Sequence, residues 1–348
     1  KVKALAVFSS DNLSSVAYAT EAILFTLLAA GTATFGLALP ISLLIVAVLG
    51  IIVVSYRQTI RAYPNGGGSY VVARENLGSG AGLVAAAALL TDYVLTVSVS
   101  VAAGVAAITS AFPGTLDAWR VEIAAIGILG VMLINLRGVR ESGTIFAIPT
   151  YVFVGSMLAL IGIGLVRTLA GAAPTVTGVE LLAVPPETFG VLLLMRAFAD
   201  GCTAITGVEA VSNGVPAFRR PEANNARITL TIMAALVGLM FIGTTVLAGI
   251  AGAVPAEGET VLSQLGRAVF GGVGPAYYVL QFSTMGILIL AANTAFADFP
   301  RLASLLAKDG YMPSRFAFRG ERLAFSTGIV ALALISIAVL AAFGGRVE

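Results

Sequence analysis

Nine long apolar segments, separated by polar connections, constrain the fold of this 348-residue chain more than any other feature. Most reach or exceed the ~20 residues that an α-helix needs to cross a bilayer. They are rich in Gly, Ala, Leu and Val, whereas membrane β-strands are short and alternate apolar with polar residues. We therefore predict an all-α integral membrane protein with spans at about 2–30, 37–62, 79–112, 119–137, 144–170, 187–214, 226–253, 274–306 and 324–344.

The composition supports this class and excludes several kinds of chemistry. The chain is 58% hydrophobic and 11% charged, with a mean hydropathy of +0.98, whereas soluble domains carry about 25% charged residues. A net charge of +2 without a basic cluster gives no reason to expect a nucleic-acid partner. With no histidine and one cysteine, Cys202, we predict no enzyme activity and no cofactor, and we interpret Cys202 as a small packing residue.

The placement of Lys and Arg predicts the orientation in the cell membrane. With a cytoplasmic N-terminus, cytoplasmic connections carry 15 of the 20 basic residues and outer connections carry four. Residues 254–273 form a longer connection, for which we predict a short surface helix at 260–270. We treat 1–348 as one multi-pass transmembrane domain and expect the chain to be a piece of a longer protein.

Two of the predicted spans are interrupted by polar and glycine residues. The first is interrupted at Ser9–Ser15 and the sixth at Asp200–Gly207. They lie five helices apart and enter the membrane from opposite sides. Paired discontinuous helices in inverted halves indicate a secondary transporter with its binding site near the midplane.

Asp11 and Tyr18 are the first candidates for that site. An ionisable side chain at the bilayer centre costs roughly 2.5–3.5 kcal/mol on insertion scales, so its presence suggests function. The carboxylate and phenol could form an oxygen cage for a cation. Alternatively, Asp11 caps the outer half of a broken helix.

Asp92 and Thr96 share one face of the third span, since they are four residues apart. They could form a second wall of a cation site, and Asp92 could carry a proton. Alternatively, Asp92 accepts hydrogen bonds from an exposed backbone end and is structural.

The sixth span supplies Thr203, Thr206 and Glu209. Glycines at 201 and 207 allow the chain to unwind, which would turn the hydroxyls toward the first helix. Glu209, one turn further, could accept and release protons. Alternatively, it supports the break structurally.

Three further polar groups have open or structural interpretations. Glu21 could gate an outer vestibule or pair with a buried donor. For Arg196 and Asp200 we predict a buried helix pair, and for Asp298 and Arg301 a structural or gating bridge.

The glycine-rich stretch 63–70 lacks the Lys-Ser/Thr and the preceding strand of a phosphate-binding loop. We interpret Gly66, Gly67 and Gly68 as part of a cytoplasmic gate loop.

Several of these stretches resemble KimA-type potassium transporters, a branch of the amino acid–polyamine–organocation superfamily. They are Asp11–Glu21, Tyr63–Gly78, Thr91–Thr96 and Gly201–Asn213. The resemblance covers nearly the whole chain and implies the LeuT-type inverted five-helix repeat, with discontinuous first and sixth helices. It also implies proton-coupled K⁺ uptake by alternating access.

The resemblance also implies roles for individual residues. The family's K⁺-coordinating Asp and Tyr fall on Asp11 and Tyr18, and its acidic and hydroxyl positions fall on Asp92, Thr96, Thr206 and Glu209. We assign K⁺ coordination to Asp11, Tyr18, Thr96 and Thr206, and proton coupling to Glu209 and Asp92. KimA-type proteins have twelve helices and a cytoplasmic C-terminal domain for dimerisation and nucleotide-based inhibition. This chain contains neither that domain nor the last three helices, so a homodimer is left open for the full-length protein.

Two other functions were weighed against K⁺ transport. Amino-acid permeases of this fold meet the substrate carboxylate with backbone N–H groups at a glycine-rich break. The fixed negative charge of Asp11 repels a carboxylate and favours a cation, although a polyamine stays compatible. A membrane enzyme has no convincing nucleophile–base pair here. The predicted partners are therefore K⁺, H⁺ and membrane lipid.

Overall fold

The computed structural model describes residues 5–6, 8–63, 68–114, 116–137, 143–318 and 325–345, without the side chains of 117 and 143–146. These ranges fold into α-helices joined by short 3₁₀ turns and loops, with no β-strand among them. The helices are α1 (Ser10–Ser14), α2 (Val16–Leu28), α3 (Ala38–Ala62), α4 (Ser69–Leu77), α5 (Ser79–Ala111), α6 (Arg120–Leu136), α7 (Gly143–Leu169), α8 (Val191–Gly201), α9 (Glu209–Asn213), α10 (Glu222–Ala251), α11 (Val261–Phe270), α12 (Pro275–Lys308) and α13 (Ser326–Ala342).

Among the described residues, six helical stretches are long and apolar enough to cross a membrane. They are Thr32–Ala62, Ser79–Ala111, Ala147–Leu169, Val191–Asn213, Glu222–Ala251 and Pro275–Lys308. Helices α2, α6 and α13 occupy the other three predicted segments but have only 13, 17 and 17 residues. Each of the nine predicted segments thus contains helix among its described residues, and six of them contain a helical stretch with the length expected of a span.

The sixth predicted span is broken, as expected from its glycines. Helix α8 ends at Gly201, where an added Cβ would lie 2.6 Å from the Ile45 side chain. A 3₁₀ turn follows, and Thr206 then adopts an extended conformation (φ −61°, ψ 145°). Gly207 has φ +82°, a left-handed conformation that L side chains avoid. The helix resumes as α9, so the break is centred on residues 206–207.

The first predicted span is bent rather than opened. Ser9 leaves the helical region (φ −122°, ψ 2°), and Ser15 forms a turn between α1 and α2 that keeps helical dihedrals. The Ser14 hydroxyl donates to the Asp11 carbonyl at 2.8 Å, and the Ser15 hydroxyl donates to the Asn12 carbonyl at 2.9 Å. Because these hydroxyls satisfy the carbonyls locally, the discontinuity is milder than the polar sequence suggests.

Helix α11 corrects the prediction of a surface helix at 260–270. It packs against α10, α12, α2 and α7, and most of its residues are buried. The Thr260 hydroxyl caps its first turn by accepting from the Ser263 amide. The Gln264 side chain pairs with both backbone groups of Val254, at 3.1 and 2.7 Å. The polar groups are satisfied internally, so the helix can be covered by its neighbours.

Two clusters of buried hydrophobic side chains organise the bundle. The first joins α1, α2, α3, α7, α8, α10 and α11, and the second joins α4, α5, α6, α13 and the C-terminal half of α12. Helix α12 also lies against α1 and makes its most extensive contact with α5. The polar residues of the first segment therefore lie where the two clusters meet.

Candidate functional site

The bent first segment and the broken sixth segment are joined by one buried amide. Asn12 Nδ2 donates to the Thr206 carbonyl at 2.8 Å and to the Ala204 carbonyl at 3.2 Å. Both carbonyls belong to the irregular backbone of the break. Asn12 therefore satisfies groups that a regular helix would have paired, and it fixes the two segments against each other.

The Asp11 carboxyl lies next to this break. Asp11 is only 5% exposed, and an added Cβ on Gly207 would lie 2.7 Å from Asp11 Oδ2. The hydroxyl of Thr294, on α12, is beside the same carboxyl. Asp11 Oδ1 has no hydrogen-bond partner among the described residues. A buried acceptor of this kind suits an ion or a water molecule.

Other buried oxygens around Asp11 share this property. The side-chain oxygens of Ser9, Ser10, Asn12 and Ser100 also lack a geometrically adequate partner within the described ranges. Leaving a buried polar group unsatisfied costs about 1–3 kcal/mol. A group of such oxygens around a carboxyl is the environment in which a partly dehydrated cation would be stabilised.

The carboxyl groups predicted from the sequence do come together. Asp92, Glu209 and Asp298 all lie near enough to Asp11 to interact electrostatically with it. Within the part of the chain that the structure describes, no basic side chain forms an ion pair with Asp11. The predicted pair of Asp298 and Arg301 is confirmed at 3.3 Å. The site therefore has an excess of acidic groups.

Tyr18 lies on α2 and Thr96 lies on α5. Both are buried, with 7% and 6% exposure. The Tyr18 phenol lies beside the Ser100 hydroxyl, and Ser100 is one turn beyond Thr96 on α5. Tyr18 is also close enough to Asp11 to interact with it electrostatically.

A cavity of about 690 Å³ leads from one face of the molecule down to Tyr18. Its wall includes Glu21, Phe25, Asp200 and Thr203. The Thr203 hydroxyl donates to the Asp200 carbonyl at 2.9 Å. Thr203, which we predicted at the ion site, thus faces the approach to the site, and Glu21 lies in the vestibule where a gating role was predicted.

Arg196 and Asp200 do pair, but the predicted burial of this pair is wrong. The side chains are 57% and 40% exposed, and the closest charged atoms are 4.0 Å apart. Arg196 is closer to Glu187, at 3.1 Å, and the Thr26 hydroxyl donates to Asp200. Both residues line the open cavity. Solvent therefore reaches this pair, although its position inside the sixth predicted span had suggested burial.

Two groups of aromatic and polar contacts lie outside the wall of this cavity. Phe8 stacks on Phe218 with ring centroids 5.1 Å apart. Further out, the Tyr70 hydroxyl donates to Asp309 Oδ2 at 2.6 Å, and the Arg74 guanidinium donates to the same oxygen. The hydrogen bond from Tyr70, with the nearby charge of Arg74, holds the pKa of Asp309 below its usual range.

The glycine-rich stretch approaches the broken sixth segment at Gly68. An added Cβ there would lie 2.8 Å from Asn213 Oδ1, near the end of α9. Gly66 and Gly67, also predicted as gate residues, lie outside the described residues. Cys202 is partly buried and packs against the first hydrophobic cluster, as predicted.

Sequence reasoning missed Asn12, Ser100 and Thr294 as members of the site. Ser100 follows Asp92 by eight residues on one helix face, and Thr294 precedes Asp298 by four. This spacing from a membrane-embedded acid was an available signal. Asn12 was visible only as one more polar residue in the first segment.

Comparison with known proteins places the chain in a family. The family model described as "Amino acid permease" matches residues 2–347. The potassium transporter KimA of Bacillus subtilis (strain 168) is 48% identical over 348 residues, which are 100% of this chain and 57% of KimA. The probable potassium transport system protein Kup of Pseudomonas aeruginosa is 29% identical over 171 residues, covering 48% of this chain and 26% of Kup. The chain thus spans little more than half the length of its relative KimA. On the family match over nearly its entire length, it belongs to the amino acid permease family.

Proposed function

We propose that the protein transports K⁺ across the membrane, coupled to H⁺. The observation that carries the proposal is the buried Asp11 carboxyl, which has an unpartnered oxygen and lies among three other acidic groups beside the broken sixth segment. K⁺ needs several oxygen ligands to replace its hydration shell. The two potassium-transport relatives support the same cargo.

The coordinating oxygens are assigned to Asp11, Tyr18, Thr96 and Thr206. The first three side chains are buried, and the Thr206 carbonyl lies within hydrogen-bond distance of Asn12, next to Asp11. Together they would offer carboxylate, phenol, hydroxyl and carbonyl oxygens. Oxygens from α1, α2, α5 and the sixth-segment break would then surround one ion.

Proton coupling is assigned to Glu209 and Asp92. These carboxyl groups lie near enough to each other and to Asp11 for the charge on one to affect the others. A K⁺ ion bound at Asp11 would favour the charged forms of its neighbours, so ion and proton occupancy would be linked. In Glu209→Gln, K⁺ movement should lose its dependence on the pH gradient while K⁺ exchange persists.

We infer alternating access by the LeuT-type inverted repeat, and the two hydrophobic clusters support this proposal. The elements that carry Asp11 and Thr206 belong to one cluster, and those that carry Asp92 and Asp298 belong largely to the other. Rocking of one cluster against the other would move the two walls of the site. With a cytoplasmic N-terminus, the cavity above Tyr18 opens to the outside.

The proposal is tested with the full-length protein reconstituted in liposomes. Wild-type protein should accumulate K⁺ in response to a proton gradient. Asp11→Asn should abolish accumulation without loss of folded, monodisperse protein. Glu75→Gln is the matched control, because it makes the same kind of change, from carboxylate to amide, at an exposed residue of α4. K⁺ accumulation by Asp11→Asn at the wild-type rate would remove Asp11 from the site.

The family match keeps an amino-acid or polyamine permease as the second candidate. An amino-acid carboxylate would have to approach the acidic Asp11, and the first segment stays helical there instead of presenting a row of free N–H groups. A competition experiment distinguishes K⁺ transport from this second function. If a diamine or an amino acid displaces K⁺ and is itself accumulated, the protein is an amino-acid or polyamine permease.

A further inference from the structure

A cluster of three arginines lies at one end of the α3–α10 pair. Arg57 and Arg61 are one turn apart on α3, and Arg227 is in the second turn of α10. Arg57 Nη1 lies 3.4 Å from the Thr231 hydroxyl, one turn beyond Arg227. The charges of Arg57 and Arg61 are close enough to Arg227 to act on it. Three like charges therefore share a small surface.

No acidic group among the described residues pairs with these arginines. The nearby Glu222 is paired with Arg220 at 3.4 Å. Arg227 Nε is buried and has no hydrogen-bond partner within the described ranges. A buried donor on a cation, next to two more cations, calls for an anion from outside the chain.

An apolar groove runs along the same helices. It has a volume of about 460 Å³ and is formed by α3, α7 and α10. Every side chain of its wall is apolar: Val46, Ile161, Leu165, Ala234, Ala235, Gly238, Leu239, Ile242, Gly243 and Val246. Leu239 is 56% exposed, so the groove opens toward the surroundings of the bundle.

The arginines and the groove are aligned along the helices. Arg227, Ala234 and Gly238 follow one face of α10, since they are seven and four residues apart. The groove begins about 10 Å beyond Arg227 and continues for about 18 Å to Val246, at ~1.5 Å per residue. One leaflet contributes about 15 Å of hydrocarbon. The arginines and the groove thus have the spacing and chemistry that would suit the charged head group and an acyl chain of a membrane lipid.

We propose that an anionic phospholipid binds at this position, with its phosphate on Arg57, Arg61 and Arg227 and an acyl chain in the groove. Basic pockets between membrane helices recognise anionic lipid head groups. Charge complementarity selects this occupant over a second copy of the chain, because an apolar helix face would leave the arginines unpaired. The site lies apart from Asp11 and does not depend on the transported ion.

The test measures lipid binding to delipidated full-length protein by native mass spectrometry. The probes are phosphatidylglycerol, phosphatidylcholine with the same acyl chains, and glycerol phosphate, which has the head-group anion without chains. Phosphatidylglycerol should bind at least tenfold more tightly than either of the others. Equal binding of phosphatidylcholine, or equal binding of glycerol phosphate, overturns the proposal.

Two variants separate the head-group and chain contributions. Arg227→Gln should weaken phosphatidylglycerol binding about fivefold, the effect expected of one basic residue at a membrane surface. Arg315→Gln, which changes an arginine in the 3₁₀ turn Ser314–Ala317, should leave binding unchanged. Gly238→Leu should fill the groove, since a Cβ there already lies 3.3 Å from Val46, whereas Gly249 has open space and Gly249→Leu is the control.

The outcomes are decisive in both directions. Weaker binding in Arg227→Gln and Gly238→Leu, with both controls at wild-type affinity, supports the lipid site. Unchanged binding in Arg227→Gln refutes the role of the arginines, even if the groove variant fails to fold. Equal losses in the variants and their controls would show non-specific adsorption and also overturn the proposal.

Discussion

Gly207→Ala is the sharpest test of the geometry at the break. The substitution combines two effects that the structure lets us separate. Gly207 has φ +82°, and an added Cβ would lie 2.7 Å from Asp11 Oδ2 and 2.8 Å from its Cγ. The first effect is backbone strain, and the second is a collision with the carboxyl assigned to K⁺.

Gly252→Ala isolates the first effect. Gly252 ends α10 with φ +69°, and nothing lies within 4 Å of an added Cβ. A left-handed alanine costs about 1–2 kcal/mol, and overpacking of a filled site adds about 1–3 kcal/mol. We therefore expect a loss of about 1–2 kcal/mol for Gly252→Ala and about 2–5 kcal/mol for Gly207→Ala.

Transport distinguishes the two variants more clearly than stability does. In liposomes, Gly252→Ala should keep the wild-type K⁺ concentration dependence. In Gly207→Ala, displacement of the Asp11 carboxyl should weaken apparent K⁺ affinity about tenfold or more, which corresponds to ~1.4 kcal/mol. Wild-type K⁺ affinity in a folded Gly207→Ala protein would show that Asp11 does not face the ion at this break, and the site assignment would fail.

Three further predictions concern other contacts. Asn12→Ala removes two hydrogen bonds to the break and should reduce thermal stability by about 1–3 kcal/mol, whereas Ser10→Ala should have little effect; equal losses would contradict the role of Asn12. The low pKa of Asp309 means that its contacts stabilise the fold above the unfolded-state pKa of about 3.9 and lose this contribution as the pH falls through the folded value. The destabilisation by Tyr70→Phe, measured by thermal unfolding, should thus be constant from pH 7 to 5 and shrink below about pH 4; a loss that grows with acid would refute this. Cys202→Ala should keep K⁺ transport and change stability by only about 0.5 kcal/mol, and a transport-dead variant would contradict a packing role.

The sequence was sufficient for the helical class and for the break in the sixth segment. Gly201 and Gly207 bracket that break in the sequence, and the chain unwinds between them. The sequence was less informative about the first segment. The same serine hydroxyls that suggested an opening instead return to nearby carbonyls, for example from Ser14 to Asp11, and hold the segment helical.

Contacts between distant helices were beyond sequence reasoning. The proximity of Thr294 to Asp11 depends on how α12 packs against α1, and no local pattern encodes that register. Likewise, the spacing of Arg196 and Asp200 predicted a shared helix face correctly but could not tell whether that face would be covered. Periodicity specifies the side of a helix, while burial is decided by the neighbours that pack on it.

The stacked rings of Phe8 and Phe218 have a consequence for the proposed transport cycle. Phe8 lies three residues before Asp11 in the chain, while the vestibule reaches Tyr18, seven residues after Asp11. An aromatic pair contributes only about 0.5–1.5 kcal/mol beyond its buried area, so thermal motion can separate the two rings readily. In the proposed transport cycle, an ion would then enter through the open vestibule, and its release on the other side would require only that the two rings separate.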